Sequence, residues 1–249
     1  MLLKGRIALV TGAGQGNGAA IARGLATEGA RVIVTDLNGP AAEQTAKGIV
    51  ETGGEAWAYT LDVANAEACN GLAREVEASI GQISILVNNA GICPRNTIDS
   101  PDVRRSWDAA MQVNLDGTLN VTLAFVAALR ATKGTIINMA SIASFVSTST
   151  SISYSTSKAA VRMLTQNLAQ ELAKDGVRVN AIAPGTLNTP MTEATRSNPE
   201  RAERFLSRIP LGRFGEPEEL IGPTVFLASN MSSYVTGTTL VVDGGYLAV

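Results

Sequence analysis

Tyr154 and Lys158 stand four residues apart, so on a helix they share one face. A phenol titrates near about 10 and is a poor base at neutral pH, but a close ammonium favours the phenolate. Lowering its pKa by ~3 units takes about 4 kcal/mol of differential stabilisation, which one or two cations in a partly desolvated cleft can supply. Such a tyrosine could protonate a ketone oxygen or deprotonate an alcohol. The chain has no histidine, which excludes Ser-His-Asp triads, Cys-His dyads and HExxH zinc sites. Proton transfer near neutral pH then falls to Asp, Glu, Cys, Lys or Tyr, the last two only with strongly shifted pKa values.

A second constellation lies near the N-terminus, where Thr11 to Gly18 reads TGAGQGNG and a helical pattern follows. Gly12, Gly16 and Gly18 would let the backbone turn tightly and approach a pyrophosphate, with the N–H groups of the next helix turn facing it. Gly14, Gly16 and Ala19 also fit the dinucleotide spacing, so the register within the loop stays open. A glycine-rich turn alone is weak; one that follows a strand and opens a helix at the first βα turn is stronger. The chain contains no Gly-Lys pair, which excludes a Walker loop.

Asp36 closes the next strand candidate, 20 residues after Gly16. A carboxylate there can accept both hydroxyls of an adenosine ribose and would repel a 2′-phosphate. No Lys or Arg stands at 13–17 or 37 to neutralise one, so NAD is expected in preference to NADP.

These groups need a scaffold that brings strand ends together. Strand candidates are Ile7 to Thr11, Arg31 to Thr35, Ala56 to Leu61, Ile83 to Asn88, Thr135 to Met139, Arg178 to Ile182 and Thr239 to Val242. Helix-like stretches lie near 17–29, 40–52, 65–80, 101–131, 155–174 and 217–228. Alternation of the two predicts βαβ units: a single α/β domain over 1–249 with a doubly wound, mainly parallel sheet and helices on both faces. Ligands of such sheets bind outside the carboxyl ends of the strands. The irregular segment 185–215, with Pro190, Pro199 and Pro210, is a candidate lid over that edge.

Composition agrees with a folded enzyme. Of the 249 residues 45% are hydrophobic and 17% charged, which excludes a disordered chain. The net charge of −2 gives no basic footprint for nucleic acid. The apolar run Val121 to Leu129, itself broken by Thr122, is too short to span a bilayer, and the first residues lack the parts of a signal peptide. Cys69 and Cys93 form neither a CxxC nor a disulfide framework, and no metal site is expected. A cytoplasmic protein is the simplest expectation.

Taken together, these residues resemble the short-chain dehydrogenase/reductase family. TGxxxGxG stands at Thr11 to Gly18, NNAG at Asn88 to Gly91, Asn114 in NLDG, Ser141 before the YxxxK of Tyr154 to Lys158, and Pro184-Gly185 before Thr189. The motifs run in the family's order over most of the chain. The resemblance implies a single Rossmann-type domain with a seven-stranded parallel sheet and a catalytic set of Asn114, Ser141, Tyr154 and Lys158. In it Lys158 also binds the nicotinamide ribose, Ser141 holds the substrate oxygen, and Asn114 orients a water that links Lys158 to solvent. It further implies that Leu37 accompanies Asp36 at the adenosine, that Asp62 and Val63 flank the adenine, and that Asn88, Ala90 and Gly91 meet the adenosine ribose. Pro184, Gly185, Leu187 and Thr189 would meet the nicotinamide end. Asn17 departs from the family, which usually has an apolar residue there; its N–H can still serve a phosphate. Ser144 is a weaker stand-in for Ser141. Substrate-pocket candidates are Ser141, Ala143, Cys93, Tyr154 and Gly185, with Cys93 equally readable as a small apolar wall residue.

Arg196, Arg201, Arg204, Arg208 and Arg213 cluster in the lid segment; a solvated helix with pairs such as Glu200–Arg204 is favoured over an anion site. Surplus apolar residues near 117–131 and 155–174, Leu119 and Leu164 among them, suggest an interhelical seam, and family resemblance implies a homo-oligomer, tetramer or dimer. The expected activity is NAD-dependent interconversion of a secondary alcohol, foremost a polyol, sugar alcohol or cyclic alcohol, and its ketone. A 3-oxoacyl reductase using NADPH is the alternative within the fold. A non-catalytic dinucleotide sensor is the alternative of another class, and the intact acid–base set argues against it.

Overall fold

Five of the seven strand runs carry side chains buried on both faces, the pattern of a parallel sheet covered by helices on each side. The strands are β1 (Ile7–Thr11), β2 (Arg31–Asp36), β3 (Ala56–Thr60), β4 (Ile85–Asn88), β5 (Thr135–Met139), β6 (Arg178–Pro184) and β7 (Thr239–Val242). They form one sheet in the order β3-β2-β1-β4-β5-β6-β7, every pairing parallel. The computed structural model describes residues 1–148 and 150–249; of the Ser/Thr-rich stretch 147–157, Ser149 lies outside them. The helices are α1 (Gly16–Thr27), α2 (Gly39–Glu51), α3 (Ala66–Ser79), α4 (Val103–Ala110), α5 (Gly117–Ala131), α6 (Ile152–Leu172), α7 (Glu193–Arg196), α8 (Pro199–Leu206) and α9 (Ile221–Ala228).

The two-residue period of the strands sorts the core into two layers. Ala8, Val10, Val32, Val34, Ile85 and Val87 pack with α1, α2 and α9. Leu9, Ile33, Leu86, Ile136 and Val179 point the other way and pack with α3, α5 and α6. Successive crossovers run outward from β1 in one direction and from β4 in the other. The strand order therefore reverses between β1 and β4, and a crevice opens beyond their carboxyl ends.

The stretch 101–131 is not one helix. A π-helical turn, Met111–Asp116, separates α4 from α5. Segment 185–215 is more regular than its prolines suggest: a 3₁₀ turn at Pro190–Thr192 leads into α7 and α8. Its arginines are largely engaged locally, Arg196 with Glu193, Arg204 with Glu200 and Arg213 with Glu219, while Arg208 stacks 4.4 Å over the ring of Tyr246. Val121, Phe125 and Val161 pack into the core, leaving Leu123 and Met163 facing outward. Among the described residues, no helix is long and apolar enough to cross a membrane.

Candidate active site

The glycine loop joins β1 to α1. Gly12 takes φ +60° and Gly16 φ +52°, conformations that favour glycine. A Cβ on Gly18 would lie 2.2 Å from the Gly12 carbonyl oxygen, so the loop closes only without a side chain there. The loop is clamped from β4. The amide of Asn89 donates to the carbonyls of Thr11 and Gly12, both at 2.9 Å. The Thr11 hydroxyl in turn accepts from the backbone N–H groups of Asn89 and Ala90, both at 3.0 Å.

One cleft of about 330 Å³ gathers most of the predicted residues. Its phosphate end holds Gly12, Gly16, Asn17 and Gly18; Asp36, Leu37, Asp62 and Val63 lie toward one end, and Ser141, Tyr154 and Lys158 line it too. Ala90, Gly91, Pro184, Gly185, Leu187 and Thr189 complete the expected set. The oxygen of the Asn17 side chain is buried in the loop with no partner. A glycine cradle that a side chain at Gly18 would fill and a carboxylate at the end of β2 fit a nicotinamide dinucleotide.

Four expected residues lie off this cleft: Asn88, Ala143, Cys93 and Asn114. Asn88 does not line the cleft. Its amide donates to Thr122 Oγ1 at 3.1 Å and Asn138 Oδ1 at 2.9 Å, deep in the core. Successive strand side chains point to opposite faces, so within the expected run Asn88 to Gly91 it is Asn88 that goes inward and Asn89 that meets the cleft. Ala143 lines an outer hollow rather than the space at Tyr154. Ile92, Val113, Met139 and Met191 also line the cleft and carried no sequence signal.

The end of α6 sets the tyrosine. Ser151 caps the helix, its hydroxyl accepting from the Tyr154 N–H at 3.2 Å, and the Ser157 hydroxyl donates to the Tyr154 carbonyl at 2.8 Å. One turn on, the Lys158 ammonium, 5% exposed, donates to the Met139 carbonyl at 2.7 Å. Ser141 Oγ accepts from the Ala143 N–H at 3.1 Å, which leaves its own proton free to donate. Ser144 does not replace it: its hydroxyl is spent on the Lys158 carbonyl at 2.8 Å.

Asn114, fully buried on the π turn, accepts from the Ile92 N–H at 2.8 Å and donates to the Ile92 carbonyl at 3.0 Å and Ser157 Oγ at 2.9 Å. Its amide is thus committed to protein groups, a positioning duty that the water-orienting expectation did not include.

The electrostatics differ from the sequence expectation. Burial pushes the Tyr154 phenol up to about 12, helped by nearby Cys93 and only partly opposed by the Ser141 hydroxyl and the Arg95 charge. Lys158 is not the influence that decides it. Burial also brings Lys158 down to about 8. Without a bound cation Tyr154 therefore holds its proton. Cys93 lies with Ser141, Tyr154 and Gly185 around a hollow of about 60 Å³, and burial raises its thiol.

The comparisons with known proteins agree with this geometry. A family model described as enoyl-(acyl carrier protein) reductase matches residues 12–247. The chain belongs to the short-chain dehydrogenase/reductase family. Within it, the chain is 41% identical to a 3-oxoacyl-[acyl-carrier-protein] reductase of Thermotoga maritima, over 98% of this chain and 99% of the relative. It is 43% identical to a galactitol 2-dehydrogenase (L-tagatose-forming) of Cereibacter sphaeroides, over 98% and 96% of the two chains. Among solved structures it superposes on a gluconate 5-dehydrogenase of Burkholderia cenocepacia in complex with NADP and tartrate. That likeness has a TM-score of 0.94 at 40% identity, covering 99% of this chain and 97% of the other. Short-chain dehydrogenase/reductase members of this kind are oxidoreductases of alcohols and of oxoacyl groups.

Proposed function

We propose that this short-chain dehydrogenase/reductase interconverts a secondary alcohol of the polyol or sugar-derived class and its ketone, with NAD as the preferred cofactor. The observation that carries the reading is the meeting of Ser141, Tyr154 and Lys158 with the glycine loop in one cleft. When bound, the nicotinamide supplies or accepts the hydride.

Tyr154 is the acid and base. Its raised pKa keeps the phenolic proton in place at neutral pH, ready for a ketone oxygen. In the oxidative direction a positive charge beside the phenol is needed to draw that proton off. Ser141 directs its free proton at the substrate oxygen, in line with the acceptor bond it already makes to Ala143. Lys158 keeps N–H donors beyond the one given to Met139, enough to hold ribose hydroxyls. Asn114 holds Ile92 and Ser157, and through Ser157 the turn that carries Tyr154.

The case for NAD rests on Asp36. Its two oxygens accept from the N–H groups of Gly14, at 2.8 Å, and Asn38, at 2.9 Å, which fixes an acceptor where an adenosine ribose would lie. A 2′-phosphate there would face a fixed carboxylate with no Lys or Arg at 13–17 or 37 to offset it. The Burkholderia relative was solved with NADP, so cofactor choice is a direct test of this chain's own residues. The Thermotoga relative favours a second reading, an NADPH-dependent 3-oxoacyl reductase. Outward-facing Leu123 and Met163 support a homo-oligomer, whose size light scattering would give.

Absorbance at 340 nm, read for polyols, sugar acids, cyclic alcohols and hydroxyacyl thioesters with NAD and NADP in parallel, tests the proposal. Turnover of a polyol or sugar derivative with NAD supports it. Preference for NADP(H) and an acyl thioester replaces it with the second reading.

A further inference from the structure

Arg95 stands between two hollows. The inner one, at Tyr154, holds about 60 Å³; the outer one holds about 860 Å³. They share Arg95, Thr148, Thr150, Thr195 and Phe205, so they adjoin as one groove that leads away from the reacting centre.

Arg95 is intermediate in exposure, and among the described residues its guanidinium makes one hydrogen bond, at an exposed contact, from Nη2 to the Met191 carbonyl at 3.3 Å. Arg196, Arg204 and Arg213 each have a glutamate; among the described residues Arg95 has no carboxylate partner. A guanidinium offers five N–H donors in a planar fork that matches a carboxylate. Next to Arg95, on the wall of the outer hollow, both polar atoms of the Asn96 amide and the hydroxyl of Ser155 are buried and find no partner among the described residues. An apolar cyclic alcohol would leave all of them unpaired.

We infer that the groove selects a hydroxylated organic acid: Arg95 binds the substrate's carboxylate while the carbinol carbon faces Tyr154, and Asn96 and Ser155 bond hydroxyls of the chain beyond. The inference rests on the acid–base reading of Tyr154 and narrows its substrate to an anionic one. The Arg95 charge is felt at both Tyr154 and Cys93, in keeping with its place at the inner hollow. Phosphates of a longer acyl thioester would answer to the same chemistry, but they would lie farther out, at exposed Arg201 and Arg204.

The test pairs hydroxy acids with neutral polyols of equal carbon number, D-gluconate against D-glucitol and tartrate against erythritol, with 3-hydroxybutyryl-CoA as the long probe. It reads kcat/KM with NAD, and binding by calorimetry on the NADH-loaded protein. Wild type is expected to favour one of the acids over its polyol by at least about 30-fold, and Arg95→Gln to cut that ratio by a similar factor through KM. Arg201→Ala should leave the ratio within about threefold. Several results overturn the inference while the acid–base reading stands. They are equal use of acid and polyol, no binding of either acid, an unchanged ratio in Arg95→Gln, or 3-hydroxybutyryl-CoA as the preferred probe with dependence on Arg201. Arg95-dependent binding of an acid with no turnover of any compound has the opposite meaning: the anion site stands and the acid–base reading falls.

Discussion

Asn114 and Ile92 hold each other through both of their amides, N–H to Oδ1 at 2.8 Å and Nδ2 to carbonyl at 3.0 Å. This reciprocal pair pins the chain leaving β4 to the π turn that interrupts the helical stretch 103–131. A third bond, to Ser157, carries the constraint into the turn of α6 that bears Tyr154 and Lys158.

Asn114→Ala should therefore cost stability and activity together. It leaves buried backbone groups of Ile92 short of partners, for a loss of about 2 kcal/mol by denaturant unfolding. Asn114→Asp loses both donors and sets a buried carboxylate against the Ile92 carbonyl, so it should cost at least as much. A stability unchanged in Asn114→Ala would mean that the pair positions nothing.

Asp36→Asn keeps the size and removes the charge. It should raise KM for NAD about tenfold and lower KM for NADP, because the carboxylate no longer opposes a 2′-phosphate. Parallel kinetics with the two cofactors check this; an unchanged ratio would detach Asp36 from cofactor choice.

Lys158 and Tyr154 load the fold in opposite pH windows. Lys158 falls from 10.5 in a free chain to about 8 in the folded one, so between those values the unfolded state binds more protons and stability rises with pH. Below pH 8 its buried charge costs about 3 kcal/mol. Tyr154 rises from 10.0 to about 12, so across that window the folded state binds more protons and stability falls. Lys158→Met should thus raise the melting temperature at pH 7, less the lost bond to Met139, and the gain should shrink as the pH passes from 8 to 10. Melting curves across that range test the sign.

The scaffold was largely legible before the structure. Continuous β-branched runs marked β1 and β5 to the residue, because strands covered on both faces need no alternation, and the short run of half-buried edge strand β7 was equally plain. β4 was read two residues early, at Ile83, since apolar Ile83 is buried without pairing in the sheet. Most of the cleft was legible too, through spaced glycines and the Tyr-Lys pair. The π turn was not: it is set by the tertiary bonds of Asn114, and local propensity at 111–116 does not distinguish it from an ordinary helix. The inward turn of Asn88 within the expected run Asn88 to Gly91 has the same character, since one residue along a strand reverses the face a side chain meets. The high phenol pKa was illegible because burial, the dominant cause, is a property of the packed state.

The most direct test of the account removes one oxygen. Tyr154→Phe keeps the ring and the packing of α6 and deletes the proton that the proposed chemistry moves. NAD binding by calorimetry should stay within about threefold of wild type, while kcat on the preferred alcohol falls by at least about 10²-fold. Wild-type turnover in Tyr154→Phe would contradict the account, whatever the substrate proves to be.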